Sequence, residues 1–264
     1  MQPTEQRRVL RVGAGREQRV DDHLAAEAPL EIRLGDTPIA VLMRTPGCEA
    51  DLALGFAITE GIILRPNEIT GVRRVPGDDE GNRWEIQPAA GVVIDAEQFR
   101  RNLYTSSSCG VCGKASIDAV RIAAPPLPDG PVVDRAIILS LPERMADAQE
   151  SFALTGGLHA AAAFTPGGEL LAVREDIGRH NAVDKLVGAL AVEGWPLPEL
   201  VLLVSGRISF EMVQKAAVAG IPLVCGVSAA SSLAVDLADE LGVTVIGFLK
   251  SDGFNVYSGE QRVV

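Results

Sequence analysis

Cys109 and Cys112 are separated by two residues, in the stretch Tyr104-Thr-Ser-Ser-Ser-Cys-Gly-Val-Cys-Gly-Lys114. Two thiols at this spacing can chelate a metal, cycle through a disulfide, or carry and release one sulfur atom. A structural zinc site needs four ligands, usually a second CxxC or a His pair three to five residues apart. The chain has four cysteines and three histidines, and neither pattern occurs. A thioredoxin-type dithiol opens a helix inside a βαβ unit. Here serines lead in and glycines surround the pair, which predicts mobile backbone. A zinc deaminase carries H-x-E followed later by P-C-x-x-C. His159-Ala-Ala has no glutamate, and the cysteine pair precedes it without the proline. The reading favoured by these tests is an exposed thiol pair on a swinging loop. Lys114 nearby in sequence would favour the thiolate. Such a cysteine can accept a persulfide sulfur, a reversible cap, and pass it on. Dithiol redox cycling stays open.

The other two cysteines, Cys48 and Cys225, lie in apolar or helical sequence and are expected to pack as small buried hydrophobes. Four cysteines in 264 residues are too few for a disulfide scaffold. The formal net charge of -11 disfavours nucleic acid and anionic membrane as partners. No apolar run approaches the roughly 20 residues that cross a bilayer, and the first residues lack an apolar signal region. The chain reads as cytoplasmic.

The elements that must position the thiols fall into two groups. Residues 1–17 are polar and read as an irregular, mobile tail. Residues 18–122 read as a small α+β domain ending in the cysteine loop at 104–114. Within it, Leu30–Leu34 and Ile39–Met43 flank a Gly-Asp-Thr turn as a hairpin, Cys48–Glu60 is helical, and Val72–Val75, Arg83–Gln87 and Val92–Ile94 read as strands. Four prolines in residues 123–131 mark a linker. Residues 132–264 then alternate helix and strand, which predicts an α/β fold with a mainly parallel sheet covered on both faces. Ser140-Leu-Pro-Glu143 has the capping-box pattern and is expected to open a helix.

In open α/β sheets ligands sit beyond the carboxyl ends of the strands. Three strand ends carry suitable residues: Val204 into Ser205-Gly-Arg207, Val227 into Ser228–Ser232, and Ile246-Gly-Phe-Leu249 into Lys250-Ser251. Gly206 and Gly247 would let a ligand approach backbone, the serines lead into a helix N-terminus suited to phosphate, and Arg207 and Lys250 supply charge. The cluster Arg174-Glu-Asp-Ile-Gly-Arg-His-Asn181 with Asp184 and Lys185 is either a site or a well-capped helix start. His159, in an Ala-rich run, reads as a hydrogen-bonded core histidine.

Taken together, Ser108-Cys-Gly-Val-Cys-Gly113, Gly157-Leu-His-Ala-Ala-Ala162, Arg174-Glu-Asp-Ile-Gly-Arg-His-Asn-Ala-Val-Asp-Lys-Leu186, Ser205-Gly-Arg-Ile-Ser-Phe-Glu-Met-Val-Gln-Lys215, Val227-Ser-Ala-Ala-Ser-Ser-Leu-Ala234 and Ile246-Gly-Phe248 resemble the FdhD family of formate dehydrogenase accessory sulfurtransferases. The resemblance runs from about residue 20 to the end. It implies a cytidine-deaminase-like three-layer fold for residues 132–264, and a dimer. It implies that Cys109 accepts sulfur from a cysteine desulfurase as a persulfide and that Cys112 assists. The acceptor would be the molybdenum or tungsten bis-guanine-dinucleotide cofactor, whose sulfuration activates formate dehydrogenase; a guanine nucleotide could stand in for it. The family's cofactor-binding stretch falls on Ile246, Gly247, Phe248, Leu249, Lys250 and Ser251. No metal is implied as a resident ligand. Two other classes stay in view: a non-catalytic cofactor chaperone and a dithiol redox protein.

Overall fold

The structure, a computed structural model, describes residues 2–95 and 124–264. Cys109, Cys112 and the rest of the loop at 104–114 lie outside the described residues. The chain opens with a hairpin of β1 (Thr4–Gly13) and β2 (Arg16–Ala25), paired antiparallel from Thr4↔Ala25 to Gly13↔Arg16. Gly15, in the turn, has φ +79°, a conformation glycine adopts without penalty. The irregular tail expected over residues 1–17 is therefore corrected. Polar side chains on both faces of the ribbon hide the alternation that marks a half-buried strand. A two-stranded ribbon is marginal alone in water, and β2 packs against a short helix described below, α3.

Next come β3 (Ala28–Leu34) and β4 (Thr37–Arg44), the expected hairpin, then α1 (Glu49–Thr59), β5 (Ile69–Arg74) and β6 (Arg83–Pro88). They form a four-stranded sheet in the order β4-β3-β6-β5. Only β3 and β6 pair in parallel. Residues 92–94 form no strand.

The second half contains α2 (Arg135–Asp147), α3 (Glu150–Thr155), β7 (His159–Phe164), β8 (Leu170–Asp176), α4 (Arg179–Ala191), β9 (Val201–Val204), α5 (Phe210–Ala219), β10 (Leu223–Gly226), α6 (Ser232–Leu241), β11 (Thr244–Lys250) and β12 (Gly253–Ser258). Helix α2 starts five residues before the capping-box pattern. Asp134 caps it, its carboxylate accepting from the Ala136 N–H at 2.6 Å, and Ser140 lies inside the helix with its hydroxyl donating to the Ile137 carbonyl.

These strands form one sheet in the order β12-β11-β10-β9-β7-β8. The expectation of a mainly parallel sheet is corrected to a mixed one. β9, β10 and β11 are mutually parallel, joined through α5 and α6. The β7–β8 hairpin and β12 add antiparallel neighbours at either side. The Pro166-Gly-Gly168 turn and the short Lys250–Gly253 turn force those reversals, since parallel neighbours need a long crossover.

Side chains alternate between the two faces of the sheet. Ala161, Ala163, Leu202, Val204, Val224 and Val245 face a core that also takes in residues of α1, α4, α5 and α6 and of the four-stranded sheet. Ala160, Ala162, Phe164, Leu203, Cys225 and Ile246 face a second core with Ile138, Leu141 and Met145 of α2. Helices therefore cover both faces. The first core runs without a break from Leu30 and Ile32 to Leu186 and Val213, so the stretches before and after the prolines share one interior.

The seam is the crossing of α1 on α4. A Cβ on Gly55 would lie 1.8 Å from the Asp184 carbonyl oxygen, and one on Gly188 would lie 1.9 Å from that of Asp51. Only glycine at both positions allows this approach. Beneath it, the Lys215 ammonium donates to Asp184 (2.8 and 3.0 Å), Thr59 (2.8 Å) and Glu60 (2.9 Å). Burial acts to lower the Lys215 pKa, but the Asp184 and Glu60 carboxylates outweigh it and hold the ammonium charged well above its ordinary range.

Candidate functional site

Because β9, β10 and β11 are parallel, their carboxyl ends share one edge of the sheet. Two antiparallel steps bring the end of β8 and the start of β7, at His159, to the same edge. The loops that leave it are laced by backbone hydrogen bonds. The Val227 N–H donates to the Val204 carbonyl (3.1 Å), Ile208 to Ala229 (3.0 Å), Ser231 to Ile208 (3.0 Å) and Phe248 to Ser228 (2.9 Å). Ser231 caps α6, its hydroxyl accepting from the Ala234 N–H.

Residues 246–251 are the last turnings of β11. Ile246 and Leu249 are fully buried in the second core; a ligand could meet only their backbone. A Cβ on Gly247 would lie 2.9 Å from the Tyr257 ring and 3.1 Å from the Ser228 carbonyl, so the close approach there is made by the protein itself. The pairing with β12 slips between Gly247 and Lys250. Within the slip Phe248 has φ +53° and is 46% exposed. A left-handed, exposed aromatic residue is uncommon, and such strain gathers at binding sites. Lys250 and Ser251 are exposed at the turn. Phe248, Lys250 and Ser251 thus offer side chains, and Ile246, Gly247 and Leu249 build the bulge that presents them.

Beside this strip lies a cleft of ≈ 720 Å³ between α2, α3 and the strand edge. Met145, Phe152, Leu158, Ile177 and Val227 supply apolar wall; Gln149, His159 and Ser205 supply polar groups. Residues 246–251 are not among its lining, but its Val227 end abuts Ser228, which holds Phe248. The two features are neighbours. Phe152 is set at the cleft's lip by Glu175, whose carboxylate accepts from the Ser151 and Phe152 N–H groups at 2.9 and 2.7 Å.

His159 is half-buried at this cleft, and no hydrogen bond from its ring to a described residue is formed. The expectation of a hydrogen-bonded core histidine is corrected. Burial, and then the nearby charge of Arg179 and of His180, push its pKa down, against a smaller pull from Asp176; the ring is neutral at pH 7.

The charged run around it divides by role. Arg174 pairs with Asp51 at 2.9 Å, and Asp176 with Lys185 at 2.8 Å. Asp176 also accepts from the Thr45 N–H, while Lys185 donates to the Thr45 carbonyl. These residues tie the β4–α1 loop to α4. His180 meets Glu211 at 3.0 Å, and Ser209 donates to the same oxygen at 3.2 Å. Burial disfavours the Glu211 charge, but His180, Ser209 and Arg179 together hold its pKa below the ordinary value. The Arg179 Nε and Glu211 Oε1 atoms are buried without a hydrogen-bond partner. Arg207 is exposed.

Cys225 is fully buried, and burial pushes its thiol up to about 12. Cys48 is exposed, against expectation. It occupies the position before α1 with φ 58°, where the tight entry into the helix turns the side chain outward. Among the described residues no three His, Cys, Asp or Glu side chains gather to hold a metal ion, and no helix is long and apolar enough to cross a membrane.

The chain and its fold have known counterparts. The chain is 51% identical to the sulfur carrier protein FdhD of Streptomyces avermitilis, over 98% of this chain and 95% of that one. It is 47% identical to the protein of that name from Mycolicibacterium paratuberculosis over the full length of both, and 46% identical to that of Mycobacterium tuberculosis over 98% of each. A crystal structure from Desulfotalea psychrophila, assigned to a formate dehydrogenase accessory protein, superposes with a TM-score of 0.77 over 99% of both chains at 24% identity, a likeness of fold. The model of the FdhD/NarQ family matches residues 25–264, the whole strand edge and cleft included, and the chain belongs to that family.

Proposed function

We propose that this protein is a sulfur carrier in the service of formate dehydrogenase, acting through a persulfide on Cys109. The carrying observation is membership of the FdhD/NarQ family, with relatives named sulfur carriers at about half identity, in a chain that carries a CxxC pair. The Cys109 thiolate attacks the terminal sulfur of a cysteine desulfurase persulfide. The donor's S–S bond breaks, its cysteine leaves as thiolate with the electron pair, and Cys109 holds the sulfane sulfur. Cys112 assists release. The acceptor, written here as substrate, is the molybdenum or tungsten bis-guanine-dinucleotide cofactor. The setting is the cytoplasm, the scaffold cytidine-deaminase-like, and the working unit a homodimer.

The strand edge suits such a substrate. The dinucleotide is anionic through its phosphates, and a chain of net charge -11 must offset that locally. Lys250 and Arg207 stand exposed on adjoining loops, and the Phe248 bulge offers an exposed ring next to them. Replacing Lys250 by Ala should weaken binding of guanosine diphosphate roughly tenfold, the scale of one charge-assisted hydrogen bond. Unchanged affinity by calorimetry would remove Lys250 as a phosphate contact. The Cys109→Ala/Cys112→Ala variant separates a carrier from a cofactor chaperone: the carrier loses activation of formate dehydrogenase, and a chaperone keeps it.

A further inference from the structure

We propose that the N-terminal ribbon of β1 and β2 is a docking arm for an acidic protein surface, its arginines meeting carboxylates and Leu10 and Val12 one apolar spot. The ribbon is long and is held at its base. Ten residues of each strand pair, a length of roughly 33 Å at about 3.3 Å per residue. The Ala26 N–H donates to the Pro3 carbonyl at 2.9 Å, and β2 rests on α3. Farther out, every residue from Leu10 to Arg19 is exposed. The family match begins at residue 25, where β2 ends, so the ribbon lies outside the stretch that defines the family. No core explains the sequence of this tip.

Its charge is opposite to that of the chain. Residues 7–19 hold five arginines against one glutamate, a net +4, in a chain of -11, which leaves -15 for the rest. Arg7 pairs with Glu5 at 2.9 Å and Arg11 with Asp22 at 3.8 Å, both pairs open to solvent and worth little. Arg8, Arg16 and Arg19 form no ion pair with a described residue. Cross-strand partners share a face of the ribbon, and faces alternate along it. The pairs Arg8↔Asp21, Leu10↔Arg19 and Val12↔Glu17 therefore put Leu10 and Val12, 52% and 66% exposed, on one face with Arg8 and Arg19. Charges also guard free strand edges. Either sign serves that purpose, yet five of the six charges at this tip are positive, and two bare apolar side chains among them work against it. An apolar spot ringed by arginines is instead the make-up of a protein interface, and the guanidinium fork matches a carboxylate. An anionic bilayer fits less well. It repels the remaining -15, and Glu17 and Asp21 alternate with the arginines at fixed spacings that a protein surface can match.

The test is surface plasmon resonance of the full chain against the two proteins a sulfur carrier meets, a cysteine desulfurase and formate dehydrogenase; the carrier reading enters only in that choice of probes. Each variant is first shown by thermal melting to fold. At least one probe should bind wild type, with an association rate that falls several-fold between roughly 50 and 300 mM salt. Arg8→Ser/Arg16→Ser/Arg19→Ser should slow that association roughly tenfold, and Arg8→Lys/Arg16→Lys/Arg19→Lys should keep most of it, because steering follows charge. Leu10→Ser/Val12→Ser should instead hasten dissociation. A complex with neither probe, or rates that the serine variants leave unchanged, overturns the proposal. So does arginine-dependent binding to phosphatidylglycerol vesicles, or arginine-dependent self-association in sedimentation, where the probe complexes are unchanged. The same measurements on Cys109→Ala read docking without sulfur transfer, so the failure of this inference and the failure of the carrier reading are told apart.

Discussion

Cys48 and Cys225 have unequal surroundings, and their reactivity should follow. Cys225 is sealed in the second core with its thiol pushed up to about 12, so almost none is thiolate at pH 8 and it should resist iodoacetamide in the native protein. Cys48 is exposed and should be alkylated. Peptide mapping after a short native labelling checks both, and label on Cys225 would contradict its burial. The same contrast dictates a control: sulfur found on the protein must be distinguished from sulfur on Cys48. His159 gives a second expectation. Its folded pKa lies below 6.5, so the unfolded chain binds the extra proton. The stability it contributes is complete above the unfolded pKa and is lost as pH falls below it. His159→Asn should therefore flatten the pH dependence of unfolding free energy between pH 7 and 5, by up to about one proton. An unchanged slope in urea titrations would contradict the shift. At this scale the sequence was informative about residue type and weak about environment. Cys109, His159 and Lys250 were singled out from chemistry and spacing. Gln149 was not, because nothing in Asp147-Ala-Gln-Glu150 distinguishes a surface glutamine from one buried under a lip.

Among elements, the α1–α4 crossing holds the molecule's two ends together. Gly188→Ala would drive a methyl into the Asp51 carbonyl, and overpacking against backbone should cost about 3 kcal/mol. Gly194→Ala meets nothing within 4 Å and should stay within about 0.5 kcal/mol of wild type. Equal denaturation midpoints for the two variants would refute the crossing. Lys215→Met removes the partner of a fully buried carboxylate and should destabilise by about 3–5 kcal/mol. Adding Asp184→Asn should restore part of that loss, which a double-mutant cycle measures. Most elements were legible, because apolar runs such as Val201–Val204 and turns such as Pro166-Gly-Gly168 carry clear local signals. The N-terminal hairpin was missed because both its faces are polar. The sheet's direction was misread because β7 and β12 pair by topology, which hydrophobic period does not encode. The glycine seam was invisible for a like reason: a glycine inside a helix reads as a flaw until its neighbour across the interface is known.

At the scale of the whole molecule, the parallel strands, cleft and Phe248 bulge converge on one edge, as placed by β9–β11. Charge is arranged to match. The chain is strongly acidic overall, while Lys250 and Arg207 stand exposed at that edge. The central claim is that Cys109 carries sulfur, and intact-protein mass spectrometry after incubation with a cysteine desulfurase and cysteine tests it most directly, in a Cys48→Ser background. The account predicts an added mass of about 32 Da, one sulfur atom, that a thiol reductant removes and that disappears in Cys109→Ala. An unmodified protein, or an adduct that persists in Cys109→Ala, would contradict it.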